Sequence, residues 1–313
     1  MKNKHDASSP STTTQIPSGF PQYRTQMFLG FAIMTGLYCI SIANFGIFRE
    51  ILQLPPSAPE YCQSQPGDDA SLCWRADLFA FELVSGLALM WCGYKGFCAW
   101  HIKKIQKMIP NTPEGRLFGY IEEGHTLTAV STTFQLFDLG VSLLIPEQRQ
   151  FLFLCHHIMA ATVSWYGLNN QYFHYYGVFY LGCSEISTIP LVAIDLAKFF
   201  PPEPGSNYDF LAQAICGPLF AITFTYYRVI LWWTVGYQMF QDIFHVLRSG
   251  NADRMRPGRN HVLYVMMLLN LLLGALQLYW FTIILGEAME FLGFGANEDA
   301  QGIEGKYQEG LEL

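Results

Sequence analysis

The sequence predicts an all-α membrane protein, a bundle of about seven transmembrane helices around a polar-lined cavity. Three observations carry this expectation. Hydrophobic residues make up 51% of the chain and charged residues 14%, against roughly 25% charged in soluble domains. The apolar residues are gathered into long runs rather than spread at amphipathic spacing. A few ionisable side chains nevertheless stand inside those runs. Each costs about 2.5–3.5 kcal/mol at membrane depth by insertion scales, so such groups mark a cavity or a partner.

Seven segments approach the about 20 residues that a helix needs to cross about 30 Å of hydrocarbon. They are residues 27–52, 78–100, 126–145, 151–168, 172–196, 211–237 and 262–286. The first is apolar up to Arg49 and Glu50. The second carries Glu82 and Lys95 near its ends, where long side chains reach the interface. Asp138 interrupts the third, and the fourth is short. The fifth opens on the aromatic cluster Tyr172–Tyr176, and the sixth holds Trp232 and Trp233, residues of an interfacial belt. The last is an almost unbroken apolar run. Backbone polar groups in lipid must be satisfied internally, which makes each of these a helix.

The flanks read differently. Residues 1–22 are polar and rich in Ser, Thr and Pro, the composition of a disordered tail; they lack the apolar stretch of a signal peptide. Residues 23–74 hold the first helix and a Pro-rich loop, residues 75–290 form the main membrane domain, and residues 291–313 are an acidic, disordered tail. Six of the eight cysteines fall in or beside helices and read as small hydrophobes. Cys62 and Cys73 share the Pro-rich loop. They are a candidate disulfide if that loop faces an oxidising lumen and free thiols if it faces cytosol.

With seven crossings, Lys2, Lys4, Arg24, Lys103, Lys104, Lys107, Arg116, Arg248, Arg254, Arg256 and Arg259 fall on the N-terminal side. Arg49, Arg75, Arg149, Lys198 and Lys306 fall on the other. The excess of positive charge puts the N-terminus in the cytosol. No basic stripe supports nucleic-acid binding.

The most informative stretch runs from Phe151 to Cys183, without a single Asp, Glu, Lys or Arg. In its midst stand His156 and His157. Adjacent helical residues point about 100° apart, so one of the two faces the interior; His157 is taken as that one, with His156 packed sideways. Asp138 lies about eight residues before the Pro146–Gln150 connection and His157 about seven after it, so the two share a depth on antiparallel neighbours. A carboxylate there would fix the imidazole tautomer. Asp138 could equally pair with Arg228, a mid-helix cation that needs an anion: Asp138, Glu185 or a lipid phosphate. Glu185 precedes Thr188 by three residues, on one helical face, and Pro190 frees carbonyls nearby. The candidate catalytic residues are therefore His156, His157 and Asp138, and the candidate binding residues Glu185, Thr188 and Arg228. No metal spacing, phosphate loop or nucleophile elbow is present.

The ordered strings Phe137-Asp138-Leu139, Cys155-His156-His157-Ile158, Glu185-Ile186-Ser187-Thr188, Tyr227-Arg228-Val229-Ile230 and Leu278-Tyr279-Trp280-Phe281 resemble the TRAM/Lag/CLN homology (TLC) domain family, over roughly residues 75 to 290. The resemblance implies a multi-pass protein, most often of the endoplasmic reticulum, acting in lipid homeostasis with membrane lipids as partners; a homo-oligomer is compatible with it. Ceramide synthases of the family carry a His-His pair followed about thirty residues later by His-Asp. Here that second position reads Ser184-Glu185, so the resemblance is to the branch outside the ceramide synthases. The family topology also puts the His-His end of the bundle toward cytosol, opposite to the charge count. Two functions follow: an acyltransferase using acyl-CoA as co-substrate, with no bound cofactor, or a non-enzymatic lipid sensor or cargo receptor.

Overall fold

The computed structural model describes residues 19–52 and 75–291; the Cys62/Cys73 loop and most of both tails lie outside the described residues. All regular structure among these residues is helical. In chain order the helices are α1 (Gly19–Ala43), α2 (Phe45–Ile51), α3 (Ala76–Phe97), α4 (Pro113–Phe118), α5 (Glu122–Ser142), α6 (Phe151–Asn170) and α7 (His174–Tyr180). They continue with α8 (Thr188–Phe199), α9 (Asn207–Phe210), α10 (Gly217–Phe224), α11 (Trp232–Arg248), α12 (Asn251–Met255) and α13 (Asn260–Phe291). Several helices run together through irregular turns. A π-helical turn, Cys98–Ile102, prolongs α3; a 3-10 turn, Cys183–Ser187, joins α7 to α8; a second π-helical turn, Thr225–Leu231, joins α10 to α11.

Six helical stretches among the described residues are long and apolar enough to cross a membrane: Tyr23–Ala43, Ala76–Ile102, Phe151–Asn170, His174–Phe199, Asn207–Arg248 and Asn260–Met289. The chain is an integral multi-pass membrane protein. The expected third span, residues 126–145, forms α5 but falls short of that apolarity. Its interior face is polar instead: His125, Thr128, Ser131, Thr132, Thr133, Gln135, Asp138 and Ser142 are all buried. A polar helix can sit at the centre of a membrane bundle because its hydroxyls turn back on its own backbone. Thr128 donates to the Gly124 carbonyl at 2.6 Å, Thr132 to Thr128 at 2.7 Å, and Thr133 to Ala129 at 2.9 Å. Around it pack α1, α3, α6 and α7.

Two other expectations change in length. The first helix begins at Gly19 and stops at Ala43, where Asn44 turns its side-chain amide onto the Ile40 carbonyl at 2.7 Å. The sixth runs past residue 237 to Arg248, because Val235, Met239, Asp242, Ile243 and Val246 keep the spacing of one buried face that packs on α4. Outward-facing apolar side chains such as Phe28, Leu144 and Ile222 are largely exposed, as lipid-facing positions require.

Ion pairs mark the two ends of the bundle. Lys103, just beyond α3, meets Glu123 at the start of α5 at 2.6 Å. At the opposite end, Arg75 before α3 meets Glu147 after α5 at 2.8 Å. α5 therefore runs antiparallel to α3 along its whole length.

Candidate functional site

Two breaks in helical regularity build the site. Pro190, third residue of α8, has no N–H to give to the turn before it, and residues Cys183–Ser187 tighten into a 3-10 turn. That turn lies directly on α3. A Cβ added to Gly96 would come 2.4 Å from the Gly182 carbonyl carbon, and one added to Gly93 would come 2.9 Å from the Glu185 carbonyl oxygen. Only glycine lets the two backbones approach so closely.

Arg228 sits within the π-helical turn Thr225–Leu231, a geometry frequent at functional positions. Its Nη2 donates to Glu185 Oε2 at 2.7 Å and to Thr188 Oγ1 at 3.1 Å. Its Nε donates to the Ser184 carbonyl at 3.0 Å and to Ser187 Oγ at 2.9 Å. Thr188 Oγ1 itself donates to Glu185 Oε2 at 2.8 Å. The cation thus ties the 3-10 turn to the π-helical one. The alternative partner, Asp138, lies elsewhere.

Asp138 pairs with His157 across α5 and α6, with Oδ1 3.1 Å from Nδ1. Gln135 Oε1 is 2.9 Å from the same nitrogen. The carboxylate also accepts from Ser85 Oγ at 3.2 Å and Ser142 Oγ at 3.3 Å. Every oxygen of this buried anion is met by a donor, which a charge at this depth demands.

A cavity lies between α3, α5, α6, α7, α11 and α13, the interhelical position in which bundles form small-molecule sites. Its α6 wall is His156, Ala160, Val163 and Gly167, and its α13 wall is Met266, Asn270, Leu273 and Gln277. Both sets follow the spacing of a single helical face. Glu185, Arg228 and Trp232 also line it. His157, Asp138 and Thr188 do not belong to its wall. The expected orientation of the histidine pair is therefore reversed: His156 faces the cavity, and His157 turns toward α5. Gln135 links the two clusters, lining the cavity and touching His157. The His156 ring packs edge-on against Trp280, with centroids 5.3 Å apart.

At the α4 end of the cavity, Tyr176 lines the wall and donates to Asp242. Arg116 grips the same carboxylate in a fork, with both bonds at 2.6 Å. This carboxylate holds the Arg116 guanidinium above its ordinary pKa. No group of three or more His, Cys, Asp or Glu side chains able to hold a metal occurs among the described residues.

Sequence reasoning missed Gln135, Asn270 and Gln277. For the last two a signal existed: they stand seven residues apart in an otherwise apolar run, hence on one face. Arg116–Asp242 could not be found this way, because it joins positions 126 residues apart.

Comparison with known families gives a match to the TLC domain over residues 78–286, well over half of the chain. No curated protein matches the chain.

Proposed function

From the premise that the chain belongs to the TLC domain family, we propose that it seats a membrane lipid in the cavity beside His156 and acylates it from acyl-CoA. The observation that carries this reading is the placement of His156. Its Nδ1 is buried and has no partner among the described residues, and its side chain lines a cavity that Glu185, Arg228, Gln135, Asn270 and Gln277 also line. An imidazole whose Nδ1 has no partner, on a cavity wall that also holds the Glu185–Arg228 pair, is the group this reading assigns to move a proton.

In this mechanism His156 takes the proton from a hydroxyl or amine of the bound lipid. The freed lone pair attacks the thioester carbonyl of acyl-CoA, the C–S bond breaks, and the thiolate recovers the proton from His156. The products are the acylated lipid and coenzyme A. Arg228, fixed by four bonds, adds positive potential where the oxyanion forms. General-base help of this kind is worth about two to four decades of rate.

A second reading is favoured by the same ion pair. Arg228 is already matched by Glu185, which suits a protein that holds a lipid without changing it, as a sensor or cargo receptor. Untargeted lipidomics of cells carrying no copy, the wild type or His156→Ala separates the two. Acyl transfer predicts an acylated lipid that depends on the wild type and disappears with His156→Ala at equal protein level. A product that persists in the variant rules out the catalytic reading and leaves lipid holding.

A further inference from the structure

Two connections carry positive charge at the end of the bundle where α5 begins. Residues 103–107, after α3, hold Lys103, Lys104 and Lys107. Residues 248–259, from the end of α11 to the start of α13, hold Arg248, Arg254, Arg256 and Arg259. Though distant in the chain, the two meet at α4. The first runs into it, and the second is tied to it: Arg116 of α4 grips Asp242 of α11, and Asn251 of α12 donates to Glu114 of α4 at 2.7 Å. Lys103 pairs with Glu123. The other six cations have no ion pair among the described residues. Arg256 and Arg259 meet neutral acceptors, the Met255 carbonyl at 3.4 Å and Asn170 Oδ1 at 2.8 Å. The acids of this end are mostly engaged, Glu123 by Lys103, Asp242 by Arg116 and Glu114 by Asn251, which leaves Glu122 and Asp253.

The opposite end satisfies its cations from within. Arg75 is held by Asp77 at 2.7 Å and by Glu147 at 2.8 Å. Arg149 donates to the Leu143 and Leu144 carbonyls at 2.9 and 3.4 Å, and Lys198 lies 5.9 Å from the Phe199 ring centroid. A count of Lys and Arg gives only an orientation. The pairing shows in addition that one end keeps a surplus of cations for a partner outside the chain.

Their depth says what that partner is. Lys104 follows the span Ala76–Ile102 by two residues, Arg248 ends the span Asn207–Arg248, and Arg259 directly precedes the span Asn260–Met289. These cations therefore stand at the level of lipid headgroups. Ile102 and Met108, beside the lysines, are each 64% exposed, and Phe244 and Met255, beside the arginines, are exposed as well. Cations interleaved with exposed apolar side chains suit a surface where charge meets headgroups and the apolar groups enter the acyl boundary. We propose that this end of the bundle docks anionic phospholipid headgroups, with Arg248, Arg254, Arg256 and Arg259 as forked phosphate donors and Lys104 and Lys107 as point charges. None of the six lines the cavity, so this surface is separate from the site beside His156.

The test places the full-length protein in phosphatidylcholine bilayers with a trace of spin-labelled phosphatidylserine or spin-labelled phosphatidylcholine. The fraction of label immobilised at the protein gives the relative association of the two lipids. Phosphatidylserine should associate about fivefold more strongly at 0.1 M salt, the factor that one cation near a headgroup supplies. The preference should fall to about twofold or less at 1 M salt, where the screening length shrinks to about 3 Å. Combined Lys104→Gln, Lys107→Gln, Arg248→Gln and Arg254→Gln should remove most of it; all four side chains are exposed. Arg149→Gln with Lys198→Gln, at the other end, should leave it unchanged. Equal association of the two lipids, a preference indifferent to salt, or an equal loss in the opposite-end control overturns the proposal. A fourfold variant that loses retention on heparin but keeps its lipid preference assigns the surface to a soluble acidic macromolecule and overturns it too. The salt comparison on the wild type stands even if a variant fails to fold.

Discussion

Arg228 Nη2 and Glu185 Oε2 lie 2.7 Å apart, each on a turn that departs from α-helical geometry. The pairing is not a contact between two regular helices. The 3-10 turn leaves the Ser184 carbonyl available, and Arg228 Nε takes it at 3.0 Å. The cation therefore satisfies both the acid and the backbone that the break exposes. Helix irregularity inside a membrane persists only where such partners exist.

That relationship predicts an asymmetry between single and double variants. Removing one partner of a buried pair strands the other, at about 3–5 kcal/mol. Glu185→Leu and Arg228→Met should each lower the unfolding temperature in detergent clearly. The double variant should be more stable than either single one. Equal or greater loss in the double variant would mean that the pair adds net stability beyond its own desolvation.

The Asp138–His157 pair should behave as a coupled unit. A double-mutant cycle with Asp138→Asn and His157→Phe, read by denaturant unfolding, should return a coupling energy of about 1–3 kcal/mol. Ser85→Ala should cost less than Asp138→Asn, since it removes one bond at 3.2 Å from an anion that keeps its other donors. Additive effects in the cycle would show that the two side chains do not depend on each other.

Close packing of the broken span on α3 makes Gly96 intolerant of any side chain. Gly96→Ala places a carbon 2.4 Å from the Gly182 backbone, and overpacking of this kind costs about 1–3 kcal/mol. Gly36→Ala on α1, where nothing lies within 4 Å, is the matched control and should be neutral. Folded yield by size-exclusion chromatography reads both. A Gly96→Ala protein with wild-type yield and unfolding temperature would contradict the close approach.

The Arg116–Asp242 fork should hold the segment before α5 onto α11. Asp242→Asn takes the charged partner from the guanidinium and leaves a single acceptor oxygen for Arg116 and Tyr176 to share. Hydrogen exchange should rise in residues 111–121 while α13 stays protected. Uniform protection in the variant would assign the hold on this segment to its apolar contacts, Leu117 and Phe118.

Much of the fold was legible because lipid imposes a length and a composition on any helix that crosses it. Six spans and their order followed from apolar runs alone. α5 was visible as a helix, but its polar face could not be read as a central one, since burial of Thr and Ser depends on hydroxyls closing onto their own carbonyls. The candidate residues were legible as a set: His156, His157, Asp138, Glu185, Thr188 and Arg228 stand out as polar groups in apolar context, and three of them, His156, Glu185 and Arg228, line the cavity. Their partners were not all legible. Asp138 had two equally good counter-ions by depth, and the choice of His157 over Arg228 rests on which helices touch.

The sequence by itself determined an all-helical membrane bundle, the residues that interrupt it and the break at Pro190, because these depend on local composition and backbone chemistry. Only the tertiary structure decided that His156 rather than His157 meets the cavity, and that Arg228 closes on Glu185. The rotation of one helix about its axis is set by the neighbours against which it packs, and a single sequence carries no measure of that angle.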